Sequence, residues 1–257
     1  MISIKSQTQI EKMRAAGALL RQVLAALRAA VQPGVTTLAL DQMAQEMICA
    51  AGATPSFKGY RGFPFSICAS VDDQVVHGFS NDTPLQAGQL LSIDCGVALD
   101  SWQSDSAFSV LVGGGGGEAQ RLIDVTERCF WLAADQARAG NRLGDIAHAV
   151  QAHAEAQGFS VIRDLCGHGI GQQMHEEPNV PNFGRPGRGP RLQPGMTLAI
   201  EPMIAQGDWR VFVEADGWTV VTQDRSLCAH YEHTVLITQG EPEILSHPGM
   251  TVREALS

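Results

Sequence analysis

Five residues stand out for the chemistry their types could do together: Asp94, Asp105, His168, Glu201 and Glu232. The first two lie in "LLSIDCGVALDSWQSDSAFSV", which reads as strand, turn, strand, so each acid interrupts an apolar run. A hairpin turning at Leu99-Asp100 sets Asp94 directly opposite Asp105, with Cβ atoms roughly 5 Å apart. Two ionised carboxylates that close in an apolar setting repel, so one takes a proton or a cation sits between them. The competing reading leaves one Asp at a strand end in water. Glu201 in "TLAIEPMI" and Glu232 at the head of "YEHTVLIT" bring two further acids on apolar strands, and a lone buried Glu is costly. His168 stands in "CGHGIG", where the flanking glycines let another group approach the backbone and ring. Four carboxylates balance two divalent cations, and with one imidazole they make a ligand set for a bridged metal pair. So oxygen-rich a set favours Mn, Fe(II) or Co over a Cys/His zinc site, and zinc stays open.

Two more histidines have settings of interest. His77 in "QVVHGF" and His175, seven residues past His168, could donate hydrogen bonds to a substrate carbonyl or a tetrahedral intermediate. For His77 a loop residue without a role is the competing reading. His148, His153, His230, His233 and His247 lack comparable settings: the first two fall on a helix surface, and His233 merely follows Glu232.

These residues must be held by a scaffold, and the chain suggests a repeated one. Apolar residues at helical spacing (Ile10, Met13, Leu20, Leu24, Leu27) predict a helix over about 8–31, ended by "QPG". Others are predicted over about 38–51, 118–139 and 143–157, with Gly52 and Gly158 as stops. Gly34 and Gly140 are 106 positions apart, as are Gly52 and Gly158; "QAGQLLSID" aligns with "QPGMTLAIE" at an offset of 107. The period is too long for a solenoid. It fits one α+β domain over 1–257 with pseudo-symmetric halves at approximately 8–112 and 118–240, each two helices plus antiparallel strands. The glycine run at 113–117 lacks the Lys-Ser/Thr of a phosphate loop and reads as a connector, and the Pro/Gly/Arg-rich stretch 179–195 reads as a surface loop.

Composition narrows the class. The chain has 257 residues, 44% of them hydrophobic, enough for a substantial core. A net charge of -9 offers nucleic acid no electrostatic footprint. No signal-like or membrane-length apolar stretch is present, which predicts a cytoplasmic protein with no membrane association. The six cysteines are scattered without a CxxC pair and read as reduced thiols.

The contexts "SIDCG", "CGHGIG…HEEP", "IEPM" and "YEHTV", in that order, resemble the methionine aminopeptidases, and the resemblance spans nearly the whole chain. It is to the short bacterial type I form, with neither an N-terminal zinc-binding extension nor the helical insertion of type II. It implies the pita-bread fold and release of N-terminal methionine ahead of a small second residue, by a hydroxide bridging two metals. It also implies a monomer acting on nascent chains, with ribosome contact through the 179–195 loop as a further possibility. Carried over residue by residue, it makes Asp94, Asp105, His168, Glu201 and Glu232 the ligands and Glu201 the general base. His77 and His175 contact substrate, and Tyr60, Phe63, Cys68 and Trp218 wall the methionine pocket. Three departures are visible: Phe63 where many members have Tyr, Met174 where Phe is common, and "VDD" at 71–73 for Val-Asn-Glu, which bears on a monovalent-cation site of some members. An Xaa-Pro peptidase of the same fold and a non-catalytic binding protein are the rival readings.

Overall fold

The computed structural model describes residues 2–257. Ser6 opens α1 (Gln7–Ala30): its hydroxyl accepts from Gln9 N while the Gln9 side chain reaches back to Ser6 N. Ile10, Met13, Leu20, Val23, Leu24 and Leu27 form its buried stripe. Thr36 caps α2 (Thr37–Ala50) by accepting from Ala39 N. In the second half, α3 (Gly117–Gln136) and α4 (Leu143–Ala156) repeat the pair, and α5 (Val252–Leu256) closes the chain. α3 stops short of the expected 139 because the backbone leaves the helical region at Ala137, whose N–H turns back to Ala134 O.

The first half supplies strands β1 (Thr54–Pro55), β2 (Ile67–Val71), β3 (Gln74–Val76), β4 (Leu90–Leu99) and β5 (Trp102–Leu111). The second supplies β6 (Ser160–Val161), β7 (Cys166–Gly169), β8 (Glu176–Pro181), β9 (Thr197–Ile200), β10 (Met203–Ala205), β11 (Val211–Val213), β12 (Val220–Thr222), β13 (Cys228–His230), β14 (Glu232–Leu236) and β15 (Glu243–Ile244). Asn179–Pro181, expected in a surface loop, thus belong to strand β8. Among the described residues, nine strands form one sheet, running β1-β4-β5-β14-β9-β7-β8, with β2 on β4 and β15 on β14. The two halves meet where β5 pairs with β14. Along β4, Leu91, Ile93, Cys95 and Val97 join the core cluster that the helices also fill, so the intervening Ser92, Asp94 and Gly96 point to the other face. Two further three-stranded sheets run β13-β10-β6 and β11-β12-β3.

One expectation about the hairpin is corrected. Asp94 pairs with Ala107, and Asp105 with Gly96, so the turn is Asp100-Ser101 rather than Leu99-Asp100. Both turn residues have positive φ (48° and 65°), as a two-residue hairpin matching the strand twist demands. Asp tolerates that conformation and a bulky Leu does not, so the turn moves one residue on. Moving a turn by one residue shifts each cross-strand partner by two. The acids therefore stay on one face, as diagonal neighbours instead of a directly opposed pair.

Candidate metal centre and active-site cavity

Five strands adjacent in the sheet each contribute one polar residue to a single spot: Asp94 from β4, Asp105 from β5, Glu232 from the start of β14, Glu201 just past the end of β9, and His168 from β7. Ligand atoms of Asp105, His168 and Glu232 lie within 4.8 Å of one another. His168 Nε2 is 3.8 Å from Asp105 Oδ2 and 3.7 Å from Glu201 Oε1. Its Nδ1 lies 2.8 Å from the Gly169 carbonyl, which fixes the ring with Nε2 toward the acids. The glycines beside it serve the sheet: a Cβ on Gly167 would strike Ala199 O, and one on Gly169 would strike Glu177 O. The close approach foreseen from the sequence is therefore that of neighbouring backbone.

The four carboxylates lie in an electrostatic setting no structural role explains. Burial pushes Asp94 up to about 7, partly offset by hydrogen bonds from Asp105 and the Cys95 amide. Asp105 is pushed well above its ordinary value, first by burial, then by the charges of Glu232 and Asp94. Glu201 and Glu232 are raised in the same way, by burial and then by the other acids. Among the described residues, no Lys or Arg stands within salt-bridge distance of any of the four. Asp94 Oδ1, Asp105 Oδ1 and Glu232 Oε1 are buried with no hydrogen-bond partner. Buried polar atoms are nearly always partnered, so orphaned oxygens converging on one point fit the donor set of a hard divalent cation.

Above this floor is a cavity of about 170 Å³ lined by all the expected site residues, with Phe57, Arg61 and Val76 added. His77 follows β3 at φ 59°, a left-handed backbone unusual for a non-glycine residue and a common sign of a working position. Burial holds His77 down to about 4, with His175 adding to the effect. His175 stacks on Tyr60, whose hydroxyl lies 3.0 Å from Nδ1, and its ring centre is 4.2 Å from that of His168. Phe63 sits edge-on to Trp218, Phe79 and Phe65, at 5.1, 5.5 and 6.2 Å between ring centres. Phe65 and Phe79 escaped the sequence reading, although "GFPF" and "HGFS" flank residues it singled out. Asn182 was missed too: its side chain donates to the Glu201 carbonyl at 2.9 Å. Asp72 accepts from Leu90 N at 2.9 Å and Asp73 pairs with Arg225 at 2.9 Å, so both acids of the "VDD" departure tie down chain segments.

The description "Metallopeptidase family M24" matches residues 11–239. The chain belongs to this family. Within it the relatives are methionine aminopeptidases: one from Clostridium perfringens is 52% identical over 96% of this chain and 99% of its own length, and "Methionine aminopeptidase 1" of Bacillus subtilis is 44% identical over 96% and 99%. The crystal structure of a methionine aminopeptidase from Thermotoga maritima superposes with a TM-score of 0.94 at 42% identity, covering 96% of this chain and 99% of that one. A prolidase from Pyrococcus horikoshii shares the fold alone, at 19% identity and a TM-score of 0.77 over 63% of its length. Family and donor set together make this M24 metallopeptidase dependent on divalent metal.

Proposed function

We propose that this M24 metallopeptidase removes the N-terminal methionine from peptides and nascent proteins, preferring a small second residue. One observation carries the reading: orphaned carboxylates and an imidazole from five neighbouring strands form the floor of a small cavity whose wall is aromatic. Asp94, Asp105, His168, Glu201 and Glu232 would hold two divalent ions, with Mn, Fe(II) or Co favoured by so many oxygen donors. When bound, such ions supply Lewis acidity and lower the pKa of water.

The remaining work falls to the chain. Phe63, Trp218, Tyr60 and Cys68 take up the unbranched thioether side chain, which has the length and softness to fill an irregular aromatic pocket. Glu201, raised in pKa by burial, takes the proton of the attacking water and passes it to the leaving amine. His175, with Nδ1 engaged by Tyr60, turns Nε2 to the carbonyl oxygen as negative charge develops there. His77, kept neutral by burial, orients the scissile amide. We further propose a cytoplasmic monomer that meets chains as they leave the ribosome.

The test is turnover of Met-Ala-Ser against Ala-Pro substrates after metal stripping and re-addition. Metal-dependent release of methionine alone is expected. Cleavage of Ala-Pro with Met-Ala-Ser untouched would replace the reading with an Xaa-Pro peptidase.

A further inference from the structure

A sixth side chain reaches the same cluster of acids. His230, at the end of β13, is buried, and its Nε2 has no hydrogen-bond partner. Glu201 lies between the two rings: Oε1 is 3.7 Å from His168 Nε2 and Oε2 is 3.8 Å from His230 Nε2. His230 Nε2 is also 3.7 Å from Glu232 Oε2. Those distances exceed a hydrogen bond but suit two donors around a common cation. Ligand atoms of Asp94, His230 and Glu232 fall within 4.8 Å of one another, as do those of Asp105, His168 and Glu232, and Glu232 belongs to both groups.

We propose that His230 is a sixth metal ligand, giving the position held by Asp94 and Glu232 an imidazole of its own, as His168 serves the position held by Asp105 and Glu232. The proposal rests on the metallopeptidase reading of the site. It has a consequence for metal choice. With this added nitrogen donor the position of Asp94 and Glu232 is less hard than carboxylates alone would make it, and it moves toward Fe(II), Co and Zn. The local geometry supports it: the Tyr231 hydroxyl and His233 Nε2 meet at 3.2 Å on the helix side, while His230 Nε2 and Glu232 Oε2 lie 3.7 Å apart on the other.

The experiment uses the full chain carrying ¹⁵N-labelled histidine, stripped of metal and titrated with Co(II). Two histidine rings, assigned by comparison with His168→Gln and His230→Gln, should show large hyperfine shifts once two equivalents are bound. In His230→Gln one set disappears, and the affinity for one of the two equivalents falls about 100-fold, the upper end of what losing even an outer partner costs. The wild-type spectrum decides the matter even if a variant fails to fold. A single shifted histidine ring in the fully loaded wild type, or unchanged affinities in a folded His230→Gln protein, would overturn the proposal. Two shifted rings without turnover of any methionyl peptide would instead retain the sixth ligand and remove the proposed activity.

Discussion

Glu232 and His233 are neighbours on β14, both buried, and they point to opposite faces of the sheet. On the helix side, His233 is fully engaged. Its Nδ1 lies 2.8 Å from Ser106 Oγ and 2.9 Å from Ser246 Oγ, and its Nε2 lies 3.2 Å from the Tyr231 hydroxyl. Phe130 packs edge-on against the ring at 5.1 Å. On the other side, Glu232 Oε1 has no partner, and its nearest neighbours are groups with the same need. A satisfied buried network holds a fold together, whereas an unsatisfied one strains it and is kept for what it can bind. The two faces should therefore answer oppositely to substitution.

The largest contrast is expected at Glu201. Changing Glu201→Gln should lower kcat on Met-Ala-Ser by about 10³-fold or more, as loss of a general base does, while the metal-free protein melts no lower than wild type. Normal turnover with metal restored would remove Glu201 from its role, and a large drop in metal-free Tm would mean that this face is structural after all.

The pH dependence of metal-free stability comes next. Asp94, with a folded value of about 7, and the other three acids, raised well above their ordinary values by burial and by one another, bind more protons folded than unfolded. Their contribution is present at low pH and lost as pH rises through the folded values. His77 and His168 act the other way, held down to about 4, so their contribution is present above about 6.5 and lost as pH falls toward 4. Between pH 6.5 and about 8 the carboxylates dominate, because the buried thiols, also pushed up by burial, part from their unfolded counterparts only as pH nears the ordinary thiol value of about 8.5. The Tm of stripped protein should fall from there upward, and saturating Mn(II) should abolish the trend. A flat metal-free profile between pH 6.5 and 8 would contradict the carboxylate cluster.

On the other face the effects are smaller and fall on stability. His233→Ala should cost about 2–4 kcal/mol by denaturant unfolding, through lost packing and stranded hydroxyls, with KM for Met-Ala-Ser little changed in the folded protein. Ser246→Ala should cost about 1–2 kcal/mol, because the Thr234 amide, which donates to Ser246 Oγ at 3.0 Å, loses its acceptor. Equal loss of kcat and stability in either variant would erase the distinction between the faces.

His230 shows where the sequence reading fell short and why. The stretch "HYEH" holds two histidines around Glu232, and only the pleat tells them apart. An offset of two places His230 on the face of Glu232; an offset of one places His233 on the other. That signal was present, but using it required knowing that the alternation survives the break between β13 and β14 at Tyr231. The second half of the site shows a different limit. Glycines around His168 announced a close approach without saying to what, because the partners, Ala199 O and Glu177 O, lie on strands remote in sequence.

By itself the sequence determined the four long helices, through apolar spacing, polar caps and glycine stops, and it determined the four acids and the histidine that share the cavity floor, through their types and contexts. Those signals are local, and local backbone preferences suffice to carry them. The hairpin register was legible locally too, in which two residues accept a positive φ, and the expected turn fell one residue early because Leu99 was given a place it resists. The tertiary structure alone decided that β5 lies beside β14, which brings the acids of the two halves together. It alone separated His230, facing the carboxylates, from His233, tied into a finished network. Whether a buried polar atom finds a partner depends on groups a hundred residues away, such as Ser106 against His233, and no short stretch of sequence contains that fact.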